Sequence, residues 1–241
     1  MRSEDPVKIP PPELDYLVLA SASPRRRELL SSLNLRFQVL EAKGVDEGAA
    51  RGSAWEVCSR LARAKAEKVL QTLIARGDQS KLRHWVVLGA DTVVAAGEEA
   101  REEVLGKPRD LQHARDMLRS LSGRTHRVLT GVAVAREGRP TRAQVETSQV
   151  EFRSLSGEEI ERYLESGEHE GKAGAYAIQG KGSALIAGFS GCYYNIVGLP
   201  LVLTARLLGL EPEPACDCSR KRLQRGAQGC KSTCSASPRA T

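Results

Sequence analysis

Three consecutive arginines, Arg25 to Arg27, stand directly behind Ser23-Pro24, where the pattern predicts the start of a helix. Ser23 is a good N-cap, and Pro24 suits the first helical position, where a missing N–H costs nothing. Leu29, Leu30 and Leu33 supply a buried face behind them. The unpaired N–H groups and positive dipole end of such a helix make an anion site, and the dipole alone would favour acids there. Arginines in that turn are unfavourable for the helix and well suited to phosphate. At ~100° per residue, Arg26 lies ~40° from Leu30 on the inward side, while Arg25 points well away. An inward arginine needs an anionic partner. The alternative is a solvated basic turn held by ordinary salt bridges.

Further along, Lys65 falls four residues after Leu61 in an apolar stripe of Val57, Cys58, Leu61 and Ala64. It either snorkels to the rim or lines a phosphate pocket. Trp85 to Ala90 is a continuous apolar run, the pattern of a central strand buried on both faces, and it gives way to Asp91-Thr92. An acid at the end of a buried strand is costly unless it is paired, bound to metal or facing a cleft. In open α/β sheets that edge is where ligands sit. The plainer reading is a turn aspartate capping local N–H groups. Gly106-Lys107-Pro108 presents a lysine on a tight loop, and a loop from Gly44 to Gly52 holds Asp46 and Glu47. Glu168-His169-Glu170 reads as a solvated loop rather than a metal site, and His84 and His126 as structural or exposed. No Ser-His-Asp or Cys-His arrangement emerges, and Cys192 has no evident base.

These residues require strands and helices in alternation to position them. Tyr16 to Ala20 predicts a strand before the arginine helix, and Arg36 to Leu40 a second. Ser53-x-x-Glu56 is a capping box opening a helix to about Arg76, and Ser156-x-x-Glu159 opens another ending near Gly167. Val104 to Pro108 predicts a short strand and loop, Leu111 to Leu121 a helix, and Val128–Ala135 with Val145–Phe152 a pair of longer strands. The stretch from Gly171 to Gly191 is rich in glycine, which implies close backbone approach or tight turns. A last helix covers Leu201 to Leu210. The pattern is that of an α/β domain over residues 14–210, with a flexible proline-rich leader at 1–13 and a disordered Cys/Arg/Ser-rich tail at 211–241.

The 241 residues carry 36 basic and 30 acidic side chains, a net charge of +6. Six basic and three acidic residues of that total lie in 211–241, so half the excess sits in the tail. The body is only mildly basic, and aromatic content is 4%. That suits a local anion site and argues against a nucleic-acid binder, which would interleave stacking aromatics with its cations. No apolar run approaches a membrane span, and the leader has neither a signal core nor a transit-peptide composition, so the expected location is the cytoplasm. Four of the six cysteines, Cys216, Cys218, Cys230 and Cys234, crowd the tail in a spacing that structural zinc sites do not favour.

With these pieces in place, the chain resembles the Maf family of nucleoside triphosphate pyrophosphatases. The resemblance is carried by LASASPRRRELL (19–30), LARAKA (61–66), GADTVV (89–94), LGKP (105–108), LSGRTHRVLTGVAV (121–134), KAGAYAIQGKG (172–182) and GCYYNIVGLPL (191–201). It implies a mixed central sheet with flanking helices and two lobes around a cleft, similar to the inosine triphosphatase fold. It also implies hydrolysis of a nucleoside triphosphate to the monophosphate and pyrophosphate. By the same resemblance Ser23, Arg26, Lys65 and Lys107 are phosphate-binding residues and Asp91 is the catalytic carboxylate, as base or as ligand of a divalent metal cation. Mg²⁺ is the expected ion, with Glu47 as a second ligand. Arg25, Thr92 and Gln179 match the positions that divide the family by base, and they form the set of the dTTP/UTP subgroup. A glutamine amide can answer both N3–H and O4 of uracil or thymine. The resemblance further implies a house-cleaning role, modified pyrimidine nucleotides as possible substrates, and a homodimer. It leaves open a 7-methyl-GTP or broad-specificity pyrophosphatase, and a nucleotide-binding regulator of cell division. Gly171 stands where the family usually has Asp before the lysine, Ala177 replaces a common glycine and Cys192 a common serine. Glu170 is the acid placed to compensate for Gly171.

Overall fold

The computed structural model of the chain describes residues 16–46, 52–76, 85–98, 101–212 and 236–238. The leader, Glu47, His84 and most of the tail, with its four cysteines, lie outside the described residues. The elements are β1 (Tyr16–Leu19), α1 (Pro24–Ser31), β2 (Phe37–Val39), α2 (Ala54–Ala75), β3 (Trp85–Ala96), β4 (Glu103–Leu105), α3 (Leu111–Leu121) and β5 (Thr125–Arg136), followed by β6 (Arg139–Phe152), α4 (Gly157–Leu164), β7 (Ile186–Ser190), α5 (Tyr193–Val197), α6 (Leu201–Leu208), β8 (Leu210–Pro212) and β9 (Ala236–Pro238). The mixed α/β class expected from the sequence is what the chain adopts.

Seven strands form one sheet in the order β2-β1-β3-β5-β6-β7, with β4 also on β3. β2, β1 and β3 run parallel; β3, β5, β6 and β7 are antiparallel. Leucine, valine and alanine from alternate strand positions pack against α2 on one face. On the other face they meet α1 and α6 at one end and α3 and α4 at the other. β8 and β9 pair separately. Both capping boxes form, with Ser53 on Glu56 and Ser156 on Glu159. No helix among the described residues is long and apolar enough to cross a membrane.

The expected end of β3 at Ala90 is wrong in an informative way. The strand continues to Ala96, so Asp91 and Thr92 stand at its middle. One edge of β3 pairs with β5 from Val87 to Ala95. The other edge carries β1 only along Trp85–Leu88 and β4 only along Val94–Ala96. Among the described residues, Gly89 to Val93 therefore have no strand neighbour on that side. The polar residues the sequence places there face a notch in the sheet edge rather than the end of a strand.

Candidate active site

That notch opens into a cavity of about 520 Å³. The loop after β1 brings Ser21 and Ser23 to it, and the first turn of α1 brings Arg25 and Arg26. α2 contributes Lys65, β3 contributes Asp91 and Thr92, and the turn after β4 contributes Lys107. Glu170 and Lys172, from the segment after α4, close the far side. Residues scattered over much of the chain thus share one wall.

Asp91 and Lys65 are the buried charges at its centre, 7% and 9% exposed, and Lys65 Nζ donates to Asp91 Oδ1 at 2.6 Å. Their meeting depends on two glycines. An added Cβ at Gly89 would stand 2.2 Å from the Ala62 carbonyl oxygen, and one at Gly131 would stand 2.3 Å from the Cys58 carbonyl oxygen. Gly131 and Asp91 are cross-strand partners. The absent side chains let the backbone of α2 lie directly on β3 and β5, which lowers Lys65 onto the carboxylate. Cys58, on the same helix, is no nucleophile: burial, aided by the charge of Asp91, pushes its thiol up to about 12.

On the opposite face of the sheet, neutral side chains replace the ion pair. Thr130 donates to the Asn195 carbonyl at 3.0 Å, and Thr92 and Thr130 share a hydrogen bond of 2.9 Å. The Asn195 amide donates to the Val128 carbonyl and to Ser148 Oγ, each at 2.9 Å, and Ser148 donates to the Cys192 carbonyl. Since Thr130 spends its proton on Asn195, Thr92 is the donor in the threonine pair. Its oxygen in turn accepts from Arg26 Nη2 at 3.0 Å. The buried chain of bonds joins β3, β5, β6 and α5.

Arg26 is inward, as the sequence implies, but its partners are protein groups. Besides Thr92 it reaches the Gly198 carbonyl at 2.9 Å, the Ala90 carbonyl at 2.8 Å and Ser21 Oγ at 3.3 Å. Arg25 does not point away; it lines the cavity. The helical angle was taken from the buried side of α1, whereas the cavity lies off the end of that helix. Burial, then the charge of Arg26, holds the Arg25 guanidinium below its usual range. Burial, then the charge of Arg25, does the same to Lys172. Cations crowded into one cavity, Arg26 beside Arg25 and Arg25 beside Lys172, make a receptacle for an anion.

Gln179 is exposed and outside the cavity lining, next to Ile178, which is part of it. Burial raises the Tyr193 phenol above its usual range, and a hydrogen bond with Gln179 offsets part of that rise. His169 is buried, not solvated as its polar neighbours suggest. Lys172, Ser21, Thr130, Ser148 and Asn195 were not singled out by sequence reasoning. Lone glycines inside apolar strands were the available signal for Gly89 and Gly131; nothing in the sequence marks Asn195.

Among the described residues no three His, Cys, Asp or Glu side chains gather to hold a metal. The acids at the cavity, Asp91, Glu41 and Glu170, are hard oxygen donors. That set does not cage an ion but fits Mg²⁺, which takes one or two carboxylates and completes its shell with water and phosphate.

Residues 16–210 match the family described as Maf-like protein. A dTTP/UTP pyrophosphatase of Myxococcus xanthus is 52% identical over 196 residues, covering 80% of this chain and 90% of that protein. Enzymes of the same name from Hahella chejuensis and Salmonella typhimurium are 47% and 44% identical, each over 80% of this chain and 90% and 91% of their own length. A solved nucleoside-triphosphatase / dITP/XTP pyrophosphatase from Mycobacterium abscessus overlaps 58% of this chain and 75% of its own, at 14% identity and a TM-score of 0.36.

Proposed function

The chain belongs to the Maf family, and from that premise we propose that it hydrolyses dTTP and UTP, and modified pyrimidine nucleotides, to the monophosphate and pyrophosphate. The observation that carries this is the single cavity in which a lysine-paired carboxylate, Asp91, faces Arg25, Lys107 and Lys172. The triphosphate lies along the cations, with Ser23 and the N-terminus of α1 taking one phosphate. Water attacks the α-phosphorus; an O–P bond forms there and the bridge to the β-phosphorus breaks. Pyrophosphate leaves with its added charge offset by Lys107 and Lys172. Asp91, held by Lys65, orients the water and takes or relays its proton.

When bound, Mg²⁺ would offset phosphate charge and lower the pKa of a bound water; Asp91 would hold it, with Glu47 as a second ligand. The pyrimidine is read by Arg25, Thr92 and Gln179, the last of which directly follows the lining residue Ile178. The same reading has the enzyme act as a house-cleaning homodimer in the cytoplasm.

A pyrophosphate-release assay over UTP, dTTP, 7-methyl-GTP and the common nucleotides tests it, with chelator and Mg²⁺ add-back. The expected result is metal-dependent release from UTP and dTTP, lowered about 10³-fold in kcat by Asp91→Asn. Preference for 7-methyl-GTP moves the chain to the other subgroup. Tight nucleotide binding without release points instead to a regulator of cell division.

A further inference from the structure

Asp91 sits at the one place in β3 where the sheet gives its backbone least support. On the open edge the last bond to β1 runs from Ala20 N–H to the Leu88 carbonyl at 2.8 Å, and pairing resumes only at Val94 with β4. Backbone groups alternate between the edges of a strand. Leu88 faces β1, so Ala90 and Thr92 turn their backbone groups toward the notch. β5 holds the opposite edge, with Asp91 across from Gly131, so the backbone groups left without a strand partner among the described residues are those of Ala90 and Thr92, on either side of it.

One side chain fills the role of the missing strand. Arg26 Nη1 donates to the Ala90 carbonyl at 2.8 Å and Nη2 to Thr92 Oγ1 at 3.0 Å. These two contacts straddle Asp91. The other contacts tie the same guanidinium to Ser21 in the loop after β1 and to the Gly198 carbonyl after α5. Four hydrogen bonds use nearly all the donors of a guanidinium, and their planar fork is what a lysine cannot reproduce.

We propose that Arg26 is a positioning residue for Asp91, substituting for a strand along the open edge of β3, and not a ligand of the substrate phosphates. The proposal rests on the pyrophosphatase reading for its kinetic consequence, and on geometry alone for its structural one. Arg26 also lines the cavity, but the role given to it by resemblance passes to Arg25 and Lys172, which line it too and of which Arg25 lies close enough to hold the Lys172 amine below its usual range, after burial.

Arg26→Lys and Arg26→Ala in the full chain separate the alternatives. A phosphate ligand predicts a raised KM for UTP and a weaker Kd for a non-hydrolysable α,β-imido UTP, both largely restored by lysine. A positioning role predicts a kcat loss on the order of 10²-fold in both variants, with analogue Kd changed less than about threefold and no rescue by lysine. Thr92→Val removes one of the four contacts together with the bond to Thr130 and a base-reading hydroxyl, so it is read by hydrogen exchange over 89–93, which base reading does not move; a smaller rise there keeps the test open if the Arg26 variants do not fold, and unchanged exchange counts against the proposal. Amide hydrogen exchange over 89–93, measured without nucleotide, rises about tenfold or more in Arg26→Lys. A tenfold weaker analogue Kd in Arg26→Ala that lysine restores overturns the proposal. Unchanged exchange over 89–93 in a folded Arg26→Lys overturns it equally. If the unmutated protein releases no pyrophosphate, the functional reading fails while the exchange result still decides this one.

Discussion

The two faces of β3 around residues 91 and 92 solve one problem by opposite means. Each must carry a polar side chain into the interior of a sheet. Toward α2 the surroundings are small and apolar, two glycines bring the helix backbone close, and one charge meets one countercharge at 2.6 Å. Toward α5 the charge that arrives, on Arg26, is only half-buried; neutral groups relay hydrogen bonds from Thr92 through Thr130 to Asn195 and Ser148. The first arrangement concentrates field on a reacting group. The second fixes position without competing for the field. A buried ion pair is costly to break on one side only, whereas a neutral network loses increments.

Substitutions sharpen that contrast in order of size. Lys65→Met, which leaves the Asp91 carboxylate uncompensated, should destabilise the fold by about 4 kcal/mol, read as a fall in urea midpoint at pH 7. A midpoint that stays within about 1 kcal/mol of the unmutated protein would show that Lys65 matters for packing alone.

On the neutral face, His126 is buried, its Nε2 2.7 Å from the Tyr176 phenol oxygen, and burial lowers its pKa from 6.5 to about 4. The unfolded chain takes up this proton near pH 6.5, and the folded one resists until about 4. Stability is therefore full above pH 6.5 and drains as pH falls toward 4, by about 3 kcal/mol in all. Replacing His126 by Phe should remove that slope from a series of unfolding midpoints. A slope that survives belongs to other groups.

Gly131→Ala is the packing counterpart. Its Cβ would meet the Cys58 carbonyl, so α2 must lift. We expect about 2 kcal/mol of lost stability together with a lowered kcat, because Lys65 rises with the helix. Stability lost with kcat intact would uncouple the helix from the carboxylate. The smallest effect is Thr130→Val, which orphans a carbonyl and a hydroxyl at about 1 kcal/mol and lowers kcat modestly. If it matches Lys65→Met, the distinction between the two faces is wrong.

Local signals were legible where local chemistry decides. Ser23-Pro24 and both capping boxes formed as their spacing implies, because caps are settled within four residues. The seven motifs imply one site for Asp91, Lys65 and Lys107, and all three line the same cavity. The length of β3 was not legible, since Asp91-Thr92 is a poor strand centre unless a helix lysine and a distant arginine satisfy it. Arg25 was misdirected because a helical angle says nothing about what lies beyond the end of the helix. Asn195 was invisible: its partners, Val128 and Ser148, are 67 and 47 residues away in sequence.

The opening in the edge of β3 spans Gly89 to Val93, roughly 16 Å at the rise of a strand. Its width is metered by where two neighbours stop, one at Leu19 and the other at Leu105. Two extra residues of pairing from either side would zip it shut without altering a single charged group. The turns after β1 and after β4 thus act as gauges of aperture, and insertions there should be far less tolerated than in the hairpin between β5 and β6.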